Sequence, residues 1–290
     1  MKINPFCTAL LAVTVLVLLA GSLAHADNIY VSCYNSNGTI EKFDSSGNKS
    51  TFASIKYPTG LAFDRSSNLY VGNYNDYRID KFDSSGKRST FASGLYPVGL
   101  AFDDSGYLYV ADLQSGGGTI DKFDSSGNRS TFASGFSWVH DIIFDGSGNL
   151  YVSDWCSPTA VKKFDPSGNM SIFASFGDAA IDGLAFDGNG NLYVGNMGSA
   201  EIDKFDSSGH MSVFASNVYE PKGLAFDSSG NLYVSTWDYG TIDKFDPSGN
   251  MSVFASGLND PMYIAVQVPE PATLLLFGLG GVLLRRKIKH

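Results

Sequence analysis

The phrase Lys-Phe-Asp occurs six times, with its phenylalanine at Phe43, Phe82, Phe123, Phe164, Phe205 and Phe245, at steps of 39, 41, 41, 41 and 40 residues. A second phrase, Phe-Ala-Ser, keeps step with it from Phe52 through Phe91, Phe132, Phe173 and Phe214 to Phe254. Units that repeat every 40 residues or so cannot each bury a hydrophobic face alone and must stack on their neighbours.

Within the sixth unit, Gly223-Leu-Ala-Phe-Asp227, Leu232-Tyr-Val234, Thr241-Ile-Asp-Lys-Phe245 and Ser252-Val-Phe-Ala255 are short apolar runs separated by Asp/Ser/Gly clusters. Runs of this length, rich in aromatic and β-branched residues, read as strands. Each unit is therefore a meander of four strands, A to D. Pro166 and Pro247 stand second in their turns, where a fixed φ suits type I, and Gly168 and Gly249 follow where φ can turn positive. Asp187-Gly-Asn-Gly-Asn191 has the look of a calcium loop. An EF-hand loop requires Gly at position six and Glu at twelve; Leu192 and Gly198 stand there, so this is one more hairpin turn.

Six such sheets in series predict an all-β fold, a six-bladed β-propeller of four-stranded antiparallel blades over residues 27–267. The first unit begins at strand B, Asn28-Ile-Tyr-Val31, and lacks strand A. The missing strand follows the sixth unit as Tyr263-Ile-Ala-Val-Gln267. This permutation predicts that the C-terminal strand joins the first blade and closes the ring. An open solenoid would need polar caps instead.

Residues 1–26 read as a secretory signal peptide, with Lys2 before an apolar stretch and a small-x-small cleavage site at Ala24-His-Ala26. At the other end, Pro269-Glu270-Pro271 precedes an apolar run over 272–284 and the basic close Arg285-Arg286-Lys287. The run is short for a permanent span, and the basic end belongs on the cytoplasmic side. Residues 268–290 closely resemble the PEP-CTERM sorting signal of Gram-negative bacteria, with its motif, short transmembrane helix and basic end in order. The resemblance implies transient anchoring in the inner membrane, removal of the tail by an exosortase-type processing enzyme, and delivery to the cell surface or the extracellular exopolysaccharide matrix.

Without the five basic residues and one acidic residue of these two ends, the formal net charge moves from −9 to −13. So acidic a body is a poor phosphate binder, which excludes nucleic acid as a partner. Outside the signal peptide the cysteines are Cys33 and Cys156. They fall in blades on opposite sides of the ring, too far apart for the roughly 7 Å Cα separation that a disulfide tolerates.

The strand order puts the A–B and C–D turns on one face of the ring, where the repeats are nearly interchangeable. The B–C and D–A connections emerge on the other face and diverge. All three tryptophans, Trp138, Trp155 and Trp237, fall on this variable face together with Tyr34, Tyr74 and Tyr239. Taken singly, each of these rings reads equally well as core filling; taken jointly, they favour a binding surface for a glycan or a protein, since aromatic faces pack on apolar sugar faces and on side chains. His140 precedes strand A of blade four, and beside it Asp141 replaces the repeat's glycine. Asp182 and Lys222 hold the position of His140 in the next two blades. The four are expected to converge at the mouth of the central channel. There His140 could bond a neighbouring blade, hold a ligand or metal, or act in catalysis.

Gly-Leu-Ala-Phe-Asp-x-x-Gly-Asn-Leu-Tyr-Val, followed by Asp or Asn, resembles the NHL and streptogramin-lyase-like propellers over residues 28–267. That family resemblance implies the fold; one scaffold hosts many activities. It also raises the alternative of a metal-dependent lyase or lactonase, with a divalent metal at the channel mouth. The lactonases of that type use a glutamate, asparagine and aspartate set, and the inner-strand starts here carry no glutamate. The lyases pair a histidine with a glutamate, and His140 has no such partner in the sequence. Asn73, Asp112, Asp154 and Asn196 follow strand B, where Asp or Asn is also the ordinary turn residue of the repeat. The reading is therefore an exported, non-enzymatic binding or structural propeller, with no catalytic residue, metal ligand or cofactor assigned.

Overall fold

The computed structural model describes residues 27–268 apart from 115 and 116. The signal peptide with Ala24 and Ala26, and the tail with Pro269, Glu270, Pro271, its expected transmembrane helix and Arg285, Arg286 and Lys287, lie outside the described residues. Among the described residues no helix is long and apolar enough to cross a membrane.

The two repeated phrases are the two halves of one contact. The phenylalanine of Phe-Ala-Ser in strand D packs on the phenylalanine of Lys-Phe-Asp in strand C of the next blade, as in Phe52–Phe82 with ring centroids 5.2 Å apart and Phe173–Phe205 at 5.4 Å. The series returns to its start with Phe254–Phe43 at 5.5 Å, so blade six meets blade one as every other pair meets. Each strand-D phenylalanine also takes an edge contact from the strand-B tyrosine of its own blade, as in Tyr70–Phe91 at 5.0 Å. Such pairs contribute about 0.5–1.5 kcal/mol each beyond their buried area. The lysine of the phrase lies over the same tyrosine, as Lys81 does over Tyr70 at 5.0 Å.

Six four-stranded antiparallel sheets result, and strand A is innermost in each. Strand B is buried along its whole length in blades two to six, for example Leu69–Asn73, because both of its faces meet neighbouring blades. Strand D is the outer edge and opens on three exposed residues. Pro261–Gln267 pairs antiparallel with Asn28–Cys33 and supplies strand A of blade one, which closes the ring. The Asn28 amide donates to Gln267 Oε1 at 3.3 Å, so the described chain enters and leaves on the face of the uniform turns.

Those turns are built alike. In each, the opening aspartate accepts amide protons from two and four residues ahead, as Asp44 Oδ1 does from Ser46 and Asn48 at 2.9 Å, and Gly47 takes φ +82°. The calcium-like loop is no exception: Asp187 accepts from the amides of Asn189 and Asn191 and from the Asn191 side chain.

Candidate functional site

The inner strands line a channel whose upper end is set by two consecutive ring positions. The second residue of strand A is Thr59, Val98, His140, Asp182, Lys222 and Met262 in blades two to six and one. The third is glycine in four blades, Asp141 in blade four and Tyr263 in blade one. The glycines allow inner strands to approach closely: a Cβ at Gly99 would stand 2.5 Å from the His140 carbonyl.

His140, Asp182 and Lys222 do meet, as the second residues of their strands. Lys222 Nζ lies 3.1 Å from Asp182 Oδ2 and over the Trp237 ring at 5.7 Å. His140 Nδ1 is 3.5 Å from the same carboxylate oxygen. That is the limit of a hydrogen bond, its alignment fails, and both ring nitrogens are left buried without a partner. The imidazole packs on Trp155 at 5.5 Å. Asp141 is partly buried and accepts the amides of Ile142 and Leu184 at 2.9 Å. Burial pushes its carboxyl up to about 7 against those two bonds, and Asp182 adds to the rise.

Sequence reasoning missed Tyr263 as a member of this cluster. Its hydroxyl reaches from blade one to the backbone carbonyl of His140 in blade four, 3.2 Å away. Burial, then the charges of Asp182 and Asp141, raise its phenol well above the ordinary range. The signal was available, because Tyr263 stands where the repeat has glycine, as Asp141 does.

The aromatic residues fall into groups. Trp237, Tyr34, Tyr74 and Tyr96 form an arc around blades six, one, two and three, with centroids 5.7, 6.2 and 5.5 Å apart in turn. Tyr57 and Tyr77 thicken it, at 5.1 Å from Tyr34 and 4.6 Å from Tyr96. The arc leads to a cleft of about 450 Å³ lined by Tyr74, Tyr96, Leu113, Gln114, Ser137 and Trp138. Trp155 belongs to the channel mouth, and Tyr239 pairs with Tyr219, at 5.8 Å.

Asn73, Asp112, Asp154 and Asn196 are the last residues of strand B rather than loop residues, and all four are buried. They brace the variable face. Asp112 accepts the Tyr96 amide at 2.7 Å and Arg129 at 2.6 Å. Asp154 accepts the amides of Ser137 and Trp138 and binds Lys162. The backbone beneath two of the rings that wall the cleft, Tyr96 and Trp138, is thus tied to buried carboxylates.

A divalent metal does not fit these residues. Asp182 is committed to Lys222, Asp141 to two amides, and the strand-B acids to their braces. No group of three His, Cys, Asp or Glu among the described residues could hold an ion.

The geometry defines a six-bladed β-propeller whose loop-rich face carries an aromatic arc. The PEP-CTERM protein-sorting motif is recognised over residues 267–287; it implies export, transient membrane sorting in Gram-negative bacteria and recognition by an exosortase. No curated protein matches the chain. Among solved structures it is similar to virginiamycin B lyase from Staphylococcus aureus, at 12% identity over 82% of this chain and 84% of that one, with a TM-score of 0.64. It is also similar to a gluconolactonase from Xanthomonas campestris (20% identity, 71% and 78% covered, TM-score 0.61) and to a calcium-binding regucalcin from Agrobacterium tumefaciens (14%, 73% and 78%, 0.61). At these identities the likeness is one of fold.

Proposed function

We propose that this exported propeller is a non-enzymatic binding module of the cell surface or exopolysaccharide matrix, and that its variable face holds a neutral saccharide. The cleft between Tyr74, Tyr96 and Trp138 carries the reading. Its rings offer flat apolar walls, Trp138 is 56% exposed, and Gln114 and Ser137 supply an amide and a hydroxyl. Among the described residues no charged side chain lines it, which disfavours uronic acids and phosphorylated ligands. The bonds from Asp112 and Asp154 hold the backbone that carries Tyr96 and Trp138 before a ligand arrives, which lowers the ordering cost of binding.

Calorimetry of the propeller with neutral and with uronic exopolysaccharide tests this. Trp138→Ala or Tyr96→Ala should weaken binding of the neutral polymer at least about tenfold, roughly 1.4 kcal/mol, with Trp237→Ala and Tyr34→Ala graded along the arc. Asn128→Ala and Asn169→Ala, in the uniform turns, should change nothing. Equal binding by all six variants would refute the assignment of this face. Turnover of a lactone panel that disappears in His140→Ala would instead establish an enzyme at the channel mouth.

A further inference from the structure

Below Tyr263 the central channel continues as a cavity of about 360 Å³. Its walls are the third to sixth residues of the inner strands, over a depth of roughly 10 Å. The second residues, Asp182 and Lys222 among them, take no part in it. Tyr263 crosses above it to the His140 carbonyl, so the upper end is closed. The lower end is open: the sixth residues Phe63, Phe186, Phe226 and Val266 line it and are only half-buried.

The walls are apolar except near the closed end. Asp141 and Tyr263 are the polar side chains among the lining residues, and Asp141 is the one that can carry charge near neutral pH. Its two oxygens accept one amide each, which leaves each a further lone pair. Lys222 and His140 turn to Asp182 rather than to Asp141. Asp182 adds only repulsion, and the carboxyl rises to about 7. A carboxylate without a counter-charge in an apolar shaft is stabilised by an incoming cation. One carboxylate is too few donors for a divalent metal, but it suffices for an ammonium. The Tyr263 hydroxyl gives its proton to His140 and keeps lone pairs that can accept another.

The way in favours the same sign. In blades two to six the inner strand runs directly into the aspartate that opens its A–B turn: Asp64, Asp103, Asp145, Asp187 and Asp227. Lys81 and Lys122 stand 3.9 and 3.7 Å from the first two of these. On a body of formal charge −13, such a rim draws cations to the opening and turns anions away.

We propose that the channel below Tyr263 is a binding site for a small primary amine with an apolar body, its ammonium on Asp141 and Tyr263 and its hydrocarbon against the leucine, alanine and phenylalanine walls. The volume is at the small end for ligand pockets, which suits a short alkyl chain or a single ring. The site opens on the face opposite the saccharide cleft and is independent of it.

Calorimetric titration of residues 27–268, a ring closed by its own strand, with hexylamine, hexanol, hexanoate and methylamine tests this. Hexylamine should bind saturably at one site, at least about tenfold, 1.4 kcal/mol, more tightly than the other three. Asp141→Asn should weaken hexylamine at least about tenfold and leave hexanol unchanged. Ala101→Leu with Ala225→Leu narrows the shaft below the acid and should abolish binding of hexylamine with Asp141 intact; this variant decides if Asp141→Asn does not fold. Trp138→Ala, in the cleft of the other face, should bind hexylamine as the wild type does. Hexanol or methylamine binding as tightly as hexylamine, hexylamine binding indifferent to Asp141→Asn or to the paired leucines, or no saturable binding overturns the proposal.

Discussion

Tyr263, on the strand that closes the ring, donates its hydroxyl proton to the backbone carbonyl of His140 on the opposite blade, 3.2 Å away. Its own amide donates to Ser32 Oγ in the adjoining strand at 3.0 Å. One residue therefore ties the last strand to the first and bars the channel beneath the polar cluster. Tyr263→Phe should cost about 1 kcal/mol for the lost hydrogen bond. Tyr263→Ala also empties the space the ring fills and should cost about 3–5 kcal/mol. Urea denaturation of both variants measures the difference; equal midpoints would mean that the ring does not fill the channel.

Asp141 gives stability a pH dependence of unusual sign. Its carboxyl is pushed up to about 7 in the folded state, whereas an unfolded aspartate titrates near 3.9. Between these values the folded protein holds a proton that the unfolded chain has released. The stabilising contribution is complete below about pH 4 and is lost as pH rises towards 7, at no more than about 1.4 kcal/mol per unit. Asp141→Asn should flatten that window, read as the urea midpoint against pH. The turn aspartates act oppositely. The Asn48 side chain holds Asp44 below the usual range, as Asn250 does Asp246, and what such turns add is lost only as pH falls below about 4.

Deleting residues 263–267 should lower the Tm by more than about 10 °C, since each kcal/mol is worth about 2–4 °C at this size. The deletion removes buried Tyr263, Ile264 and Ala265 and exposes the Asn28–Cys33 edge. Deleting 269–290 should leave the Tm unchanged. Differential scanning calorimetry of the two truncations decides, and matching Tm values would refute the closing role.

Replacing Pro269, Glu270 and Pro271 with alanine should leave the protein in the inner membrane with its C-terminus intact, because the sorting motif spans those residues. Fractionation with a C-terminal mass measurement checks this. Normal release of the variant would reduce the tail to a generic anchor.

Repetition made the fold legible in the sequence. A phrase written six times fixes the same φ/ψ choices, turn aspartates and inter-blade phenylalanines at each unit, and the displaced strand at 263–267 revealed how the ring closes. The convergence of His140, Asp182 and Lys222 followed too, because equivalent positions of a closed ring must face one axis. Tertiary structure decided what depends on distance between unlike residues. It showed that Tyr263 crosses the channel, that Asp112 and Asp154 brace Tyr96 and Trp138, and that Trp155 joins His140 while Trp237 joins the arc. Loop connections break the repeat, so periodicity carries no information about where their side chains land. Packing and desolvation alone settle that.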